Sequence, residues 1–327
     1  MKKDIQKNLI KKNVDEIKCK NNIDKEYKVS TFILNNLIDY CELDREKAAI
    51  TLDNAYMVET LLKIDSNYKK ASKINEKPCI KFMKHIVKVD TNIDKSPDET
   101  IENYGSRAYW INSYIEALRD GEIKQKISGT INRIKKTETF TITPDIALKG
   151  VICAIDRENS THLTADHVGR RCVFEKINRY VNYDIRNLEK GLKNFDLIDE
   201  IATPIEQIPK SISGEKKGKV KERYHFSFAT KFCRYVCLQL FNNKVEADTF
   251  YIYDNVLKNN LDFYAEEYEV NKFKFEKFDI GKNTPKNQYI KYTEFLDKIK
   301  ENAKKKHKDS EEISRNALDH IIWYFNK

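Results

Sequence analysis

The stretch Ser227-Phe-Ala-Thr-Lys231-Phe-Cys-Arg-Tyr-Val236 and, one loop later, Thr249-Phe-Tyr-Ile-Tyr-Asp254-Asn-Val256 decide how this chain reads. Phe228, Phe232, Tyr235 and Leu238 recur at helical spacing, so a helix is expected over 228–241, with Lys231 near its start. Phe250–Tyr253 is apolar and extended, and it delivers Asp254 to the start of another helix. An aspartate there caps the helix, and the positive end of the helix dipole keeps it ionised. One amine and one carboxylate therefore project from two helix starts. They lie 23 residues apart, a separation that a helical hairpin closes.

That pair suits cleavage of an N-glycosidic bond. A lysine amine can attack the sugar C1′ as the base departs. A carboxylate can stabilise the oxocarbenium-like charge that develops. At its ordinary pKa only about one lysine in a few thousand is neutral at pH 7. A nucleophilic Lys231 therefore needs an apolar surround, which Phe228, Phe232 and Tyr253 would supply.

The remainder of the chain fits a helical protein. Its 327 residues are enough for about two domains. Nine glycines and six prolines fall well short of the usual share of roughly 12%, which leaves few residues for tight turns and favours long helices over a sandwich or barrel. Further helices are expected at 30–40, 45–64, 105–120, 145–157, 164–180, 183–197, 288–304 and 310–325, with another beginning at Asp254. Thr137–Thr143 is the one convincing strand-like alternation. The polar, proline-bearing segment Asp90–Glu99 marks a boundary between an N-terminal helical region, 1–95, and a second region, 96–327. The fold class is thus mostly α, multi-helix, with little β.

Charge and cysteine content narrow the setting. Sixty basic against 51 acidic residues give a net charge of +9, which favours an anionic partner such as nucleic acid. Seven cysteines, odd in number and without a CxxC, read as reduced thiols of a cytoplasmic protein. No apolar run approaches the roughly 18 residues of a membrane span. His162 and His167 are spaced by five, which does not align two metal ligands on a helix face, so no metal site is expected there, and the lysine–carboxylate chemistry above needs no metal or organic cofactor. Cys233 and Cys237 read as core residues. Tyr109, Trp110 and Tyr114 form an aromatic stripe that could stack on a flipped base but reads first as core.

The two opening segments resemble the helix–hairpin–helix glycosylase superfamily, in particular the 8-oxoguanine DNA glycosylases. Their hairpin carries Gly-Val-Gly-Thr-Lys with lysine as nucleophile, and a later Pro-Val-Asp-type segment holds the essential aspartate. Ser227-Phe-Ala-Thr-Lys231 and Tyr251-Ile-Tyr-Asp254 match these segments, so the resemblance implies catalytic roles for Lys231 and Asp254. It also implies a glycosylase-like C-terminal region, base excision with strand nicking, and DNA as partner. Phe228 and Tyr253 would line the pocket, with His225 either joining them or, as a histidine more often does, serving as a core or surface residue. The family's hairpin glycines present amides to a DNA phosphate; here Ser227 and Ala229 stand in their places, and the second segment lacks the proline. The basic stretch Lys216, Lys217, Lys219, Lys221 and Arg223 reads equally as a DNA-binding compensation for them or as a solvated loop.

A rival reading is a non-enzymatic DNA-binding regulator. Asp145–Arg157, Thr164–Arg171 and Tyr183–Leu197 resemble the three helices of a winged helix-turn-helix spanning 145–223, with the basic stretch 213–223 as its wing.

Overall fold

A computed structural model describes residues 49–51, 54–55, 58–59, 62, 76–88, 93, 104–131, 134–159, 163, 169–203, 224–242, 244–276, 278, 283–307 and 313–326. Among these the protein is mostly helical, with ten α-helices and one two-stranded antiparallel sheet. The chain divides into two compact units. The larger comprises 70–253 and 276–290; the smaller comprises 1–69, 254–275 and 291–327.

The larger unit opens with α1 (Ile80–Val87) and α2 (Arg107–Asp120). Ser106 caps α2 by accepting from the Tyr109 amide at 3.1 Å. Gly121 ends the helix at φ 82°, a conformation that favours glycine. The chain then forms β1 (Ile123–Ile131) and β2 (Ile134–Ile142), paired from Ile123↔Ile142 to Ile131↔Ile134. Pro144 starts α3 (Pro144–Asn159), where its missing N–H costs nothing, and Thr143 Oγ1 accepts from the Ile146 amide at 3.4 Å.

Next come α4 (Gly169–Val181), α5 (Ile185–Lys193) and α6 (Asp196–Ala202). The helix expected over 183–197 is therefore two helices, broken at Phe195, whose backbone is left-handed at φ 61°. α7 (Phe226–Leu240) follows, then a 3₁₀ turn at Val245–Asp248.

The core of this unit is a stack of helix faces. Leu148, Val151, Ile152 and Ile155 recur at three- and four-residue steps along α3 and are fully buried. α3 lies against α2, where Trp110 is fully buried and donates its indole N–H to the Tyr104 carbonyl at 2.6 Å. Tyr109 and Tyr114 are buried with it, so the aromatic stripe is core. α7 packs on α2, α3 and α6. Arg170 of α4 and Asp156 of α3 form a buried ion pair at 2.7 Å, and Asp156 also accepts from the Leu163 amide at 3.0 Å. A buried pair this fully hydrogen-bonded holds α3 and α4 in one arrangement.

The smaller unit contains α8 (Asn255–Glu267), α10 (Arg315–Asn326) and residues 291–306 of α9 (Pro285–Lys306), whose first turns belong to the larger unit. Asn54, Ala55, Val58, Glu59 and Leu62 are helical, within the helix expected at 45–64. Ala55, Val58 and Leu62 are buried at the spacing of one helix face. Glu59 contacts His320 Nδ1, and the Ile50 amide donates to the Tyr268 hydroxyl at 2.6 Å. These contacts join N-terminal residues to C-terminal helices within the smaller unit. The expected helix at 30–40 lies outside the described residues, as does the segment 90–99 apart from Ile93.

Gly150 of α3 tests the central packing. A Cβ there would meet the Trp110 ring at 2.1 Å. Helix propensity alone predicts that Gly150→Ala stabilises by up to about 1 kcal/mol. The contact predicts destabilisation of about 1–3 kcal/mol, because neither the ring nor the helix backbone can yield without strain. Urea unfolding separates the two; a stabilised variant would contradict the packing of α2 on α3.

Candidate active site

α7 carries the first of the two segments. It begins two residues earlier than the apolar spacing indicates, so Ser227 and Ala229 lie inside its first turn. The Ala229 amide already donates to the His225 carbonyl at 2.9 Å, and Ala229 is fully buried. That amide is therefore occupied within the helix and not presented to a phosphate, unlike the hairpin amide the resemblance implies. Ser227 is half-buried in the same turn. His225 is half-buried at the N-cap position, where its backbone amide donates to the Ala202 carbonyl at 3.0 Å. Lys216, Lys217, Lys219, Lys221 and Arg223, together with His162 and His167, lie outside the described residues.

Lys231 sits in the second turn of α7 and is only 7% exposed. Its neighbours along the helix, Phe228 and Phe232, are buried with rings 6.2 Å apart. Thr230 beside it is fully buried and uses both capacities of its hydroxyl. The O–H donates to the Ser227 carbonyl at 3.1 Å, and the oxygen accepts from the Tyr253 amide at 3.1 Å. The residue immediately before Lys231 is thus hydrogen-bonded to the residue immediately before Asp254.

The second segment runs extended through Phe250–Tyr253 without a strand partner. Its buried backbone must still be satisfied, and side chains do this. The Tyr289 hydroxyl accepts from the Tyr251 amide at 2.9 Å and donates to the Tyr251 carbonyl at 3.0 Å. Rings close around the segment, with Phe250 against Phe195 and Tyr289, and Tyr253 against Phe226 at 5.0 Å. Burial pushes the Tyr253 hydroxyl well above the usual tyrosine range. The preceding 3₁₀ turn is anchored to α7 by Arg234, which donates to the Ala247 carbonyl at 2.8 Å.

Asp254 opens the smaller unit and caps α8, as its place in the sequence implies. Its Oδ1 accepts from the Leu257 amide at 3.0 Å.

Two residues that meet α7 at Tyr235, Arg107 and Glu158, carry no signal in the sequence reading. Tyr235 lies one helical turn beyond Lys231, on the same face of α7. The Arg107 guanidinium sits 3.5 Å from the centre of the Tyr235 ring. Arg107 also pairs with Glu158 at 3.1 Å. Glu158 is buried; burial pushes its carboxyl up and Arg107 opposes the shift. The i, i+4 spacing of Lys231 and Tyr235 is visible in the sequence, but the convergence of Arg107 and Glu158 on that face requires the fold.

The larger unit holds further buried titratable groups, two of them on α7 itself. Burial pushes the Cys237 thiol up to about 12 and raises Cys233 as well, as befits core cysteines. Lys176 is a second buried amine. Burial lowers it to about 8, and its Nζ donates to the Ile201 carbonyl at 3.5 Å. Among the described residues no group of three or more His, Cys, Asp and Glu could hold a metal ion, and no helix is long and apolar enough to cross a membrane. No protein-family model, curated protein or solved structure matches the chain.

Tyr289→Phe tests how the second segment is held. It removes both hydrogen bonds between the Tyr289 hydroxyl and the Tyr251 backbone, at a cost of about 1–3 kcal/mol. A loss below about 0.5 kcal/mol in urea unfolding, the usual range of surface substitutions, would contradict this account of the segment.

Proposed function

We propose that the protein is a DNA glycosylase with strand-nicking lyase activity, Lys231 being its nucleophile and Asp254 its carboxylate. The observation that carries this reading is the Thr230 hydroxyl bridge to the Tyr253 amide. It ties together the two segments that resemble the 8-oxoguanine DNA glycosylases, at the residues just before the two reactive side chains. The low exposure of Lys231 fits as well, since the reaction needs an amine sheltered from water.

The chemistry proceeds on a nucleotide flipped out of the duplex, because C1′ is unreachable within the stack. The neutral amine of Lys231 donates its electron pair to C1′ as the bond to the base nitrogen breaks. The base leaves with that bonding pair and takes up a proton. Asp254 faces the positive charge that develops on the sugar. The attached amine loses a proton and the sugar ring opens, leaving a Schiff base. Loss of a C2′ proton then expels the 3′ phosphate and nicks the strand.

The rival regulator takes Asp145–Arg157, Thr164–Arg171 and Tyr183–Leu197 as its three helices; α3 spans the first, residues 164–168 of the second and the wing at 213–223 lie outside the described residues, and the third is split at Phe195. A regulator leaves the strand intact, so excision decides between the readings.

Borohydride should trap a covalent adduct between the protein and a duplex carrying 8-oxoguanine or another modified base. Lys231→Gln should abolish trapping, while Lys176→Gln should retain it. Trapping that survives in the Lys231 variant would move the nucleophile elsewhere.

Asp254→Asn separates capping from catalysis. Asparagine caps a helix about as well as aspartate, so stability should shift by only a few tenths of a kcal/mol. Loss of the charge facing the sugar should slow excision by on the order of 10²-fold or more. Full-rate excision by a normally stable variant would reduce Asp254 to a cap.

A further inference from the structure

The β1–β2 ribbon has two chemically distinct faces. Its register pairs Lys124 with Thr141, Lys126 with Thr139, Ser128 with Thr137, and Thr130 with Lys135. All eight of these residues are exposed, and the Ser128 and Thr137 hydroxyls meet at 2.8 Å, so both strands direct this set outward. The alternate residues form the other face. There Ile127 and Ile142 are buried, Gly129 lies over Ile80 of α1, and Glu138 pairs with Lys84 and Lys136, each at 2.9 Å.

The outer face holds three lysines and five hydroxyls but no carboxylate. Lys124, Lys126 and Lys135 form no ion pair among the described residues. Exposed lysines elsewhere do: Lys298 pairs with Glu301 at 2.7 Å, and Lys272 with Glu266 at 2.6 Å. Lys77 adds to the charge at this edge, its Nζ donating to the Lys126 carbonyl at 3.2 Å.

We propose that the outer face of this ribbon is a docking surface for the phosphate backbone of duplex DNA. Charge complementarity selects the partner, and the side-chain types select the mode. Lysine, serine and threonine are phosphate-contacting groups, whereas the arginine, asparagine and glutamine that most often read base edges are absent from this face. Contact is therefore independent of sequence. Four cross-strand rows span about 20 Å, and a two-stranded ribbon is slim enough to lie along a DNA groove. The ribbon follows directly on α2, whose first residue is Arg107. The 14 residues of that helix separate the ribbon from Arg107 by about 21 Å. The proposal rests on the DNA-directed reading above and extends it to a second, non-catalytic contact.

The test measures binding of a 25-base-pair unmodified duplex across 50–200 mM salt. It compares the parent protein, the triple variant Lys124→Ala/Lys126→Ala/Lys135→Ala, and a control of equal charge, Lys298→Ala/Lys305→Ala/Lys306→Ala. Loss of three phosphate contacts should reduce the log–log salt slope by about 2.7 and weaken binding on the order of 10²-fold at 0.15 M salt. The control should stay near the parent. Both variants should keep the parent's circular dichroism, since all six lysines are exposed. A ribbon variant that binds like the control would overturn the docking surface while leaving the glycosylase reading intact. A parent that shows no salt-dependent binding would overturn both. Because binding is read without excision, a protein that binds through the ribbon but releases no base would sink the glycosylase reading alone.

Discussion

One hydroxyl, that of Thr230, sets the geometry on which the candidate site depends. It is fully buried, and it both donates to the helix that carries Lys231 and accepts from the segment that ends at Asp254. Valine has the same shape but could do neither. Without the hydroxyl the Tyr253 amide would lose this buried hydrogen bond, a loss costing about 1–3 kcal/mol. The requirement that this amide be satisfied therefore fixes where the chain passes α7. The Tyr289 hydroxyl does the same for Tyr251. An extended segment of a helical protein, lacking a sheet to join, is held by two side chains in place of a neighbouring strand.

This arrangement explains why the surroundings are aromatic. Phe195, Phe226, Phe250, Tyr253 and Tyr289 make ring contacts that enclose the segment and exclude water from its hydrogen bonds. Exclusion of water strengthens those bonds and raises the cost of breaking them. The ribbon stands apart, exposed and cationic, where a phosphate backbone can meet it without desolvating a buried charge.

Much of the fold was legible because hydrophobic periodicity reports helices directly. Leu148, Val151, Ile152 and Ile155 mark α3, and Asp254 announces α8 as its cap. Three features escaped for physical reasons. β1 escaped because Ile123, Ile127 and Ile131 alternate with polar residues and Gly129, so its apolar signal is diluted; its lysine face belongs to an exposed ribbon. The break at Phe195 escaped because a left-handed phenylalanine is held by tertiary contacts, with no glycine or proline to mark it. The two units escaped because the contact between Glu59 and His320 joins residues 261 positions apart. At the site, Lys231 and Asp254 were readable as a motif. Arg107 and Glu158 were not, since nothing in local sequence says that α2 and α3 meet α7 at Tyr235.

Thr230, next to the sheltered Lys231, is bonded to the segment that leads to the capping carboxylate of Asp254, and we propose that this arrangement removes a base from DNA. The most direct measurement is mass spectrometry of the free bases released when the protein is incubated with a panel of duplexes, each carrying a different modified base. The account predicts a free modified base from at least one duplex, released in step with nicking of the strand that carried it. A panel in which every base stays attached and every strand stays intact, with the protein demonstrably bound, would contradict it.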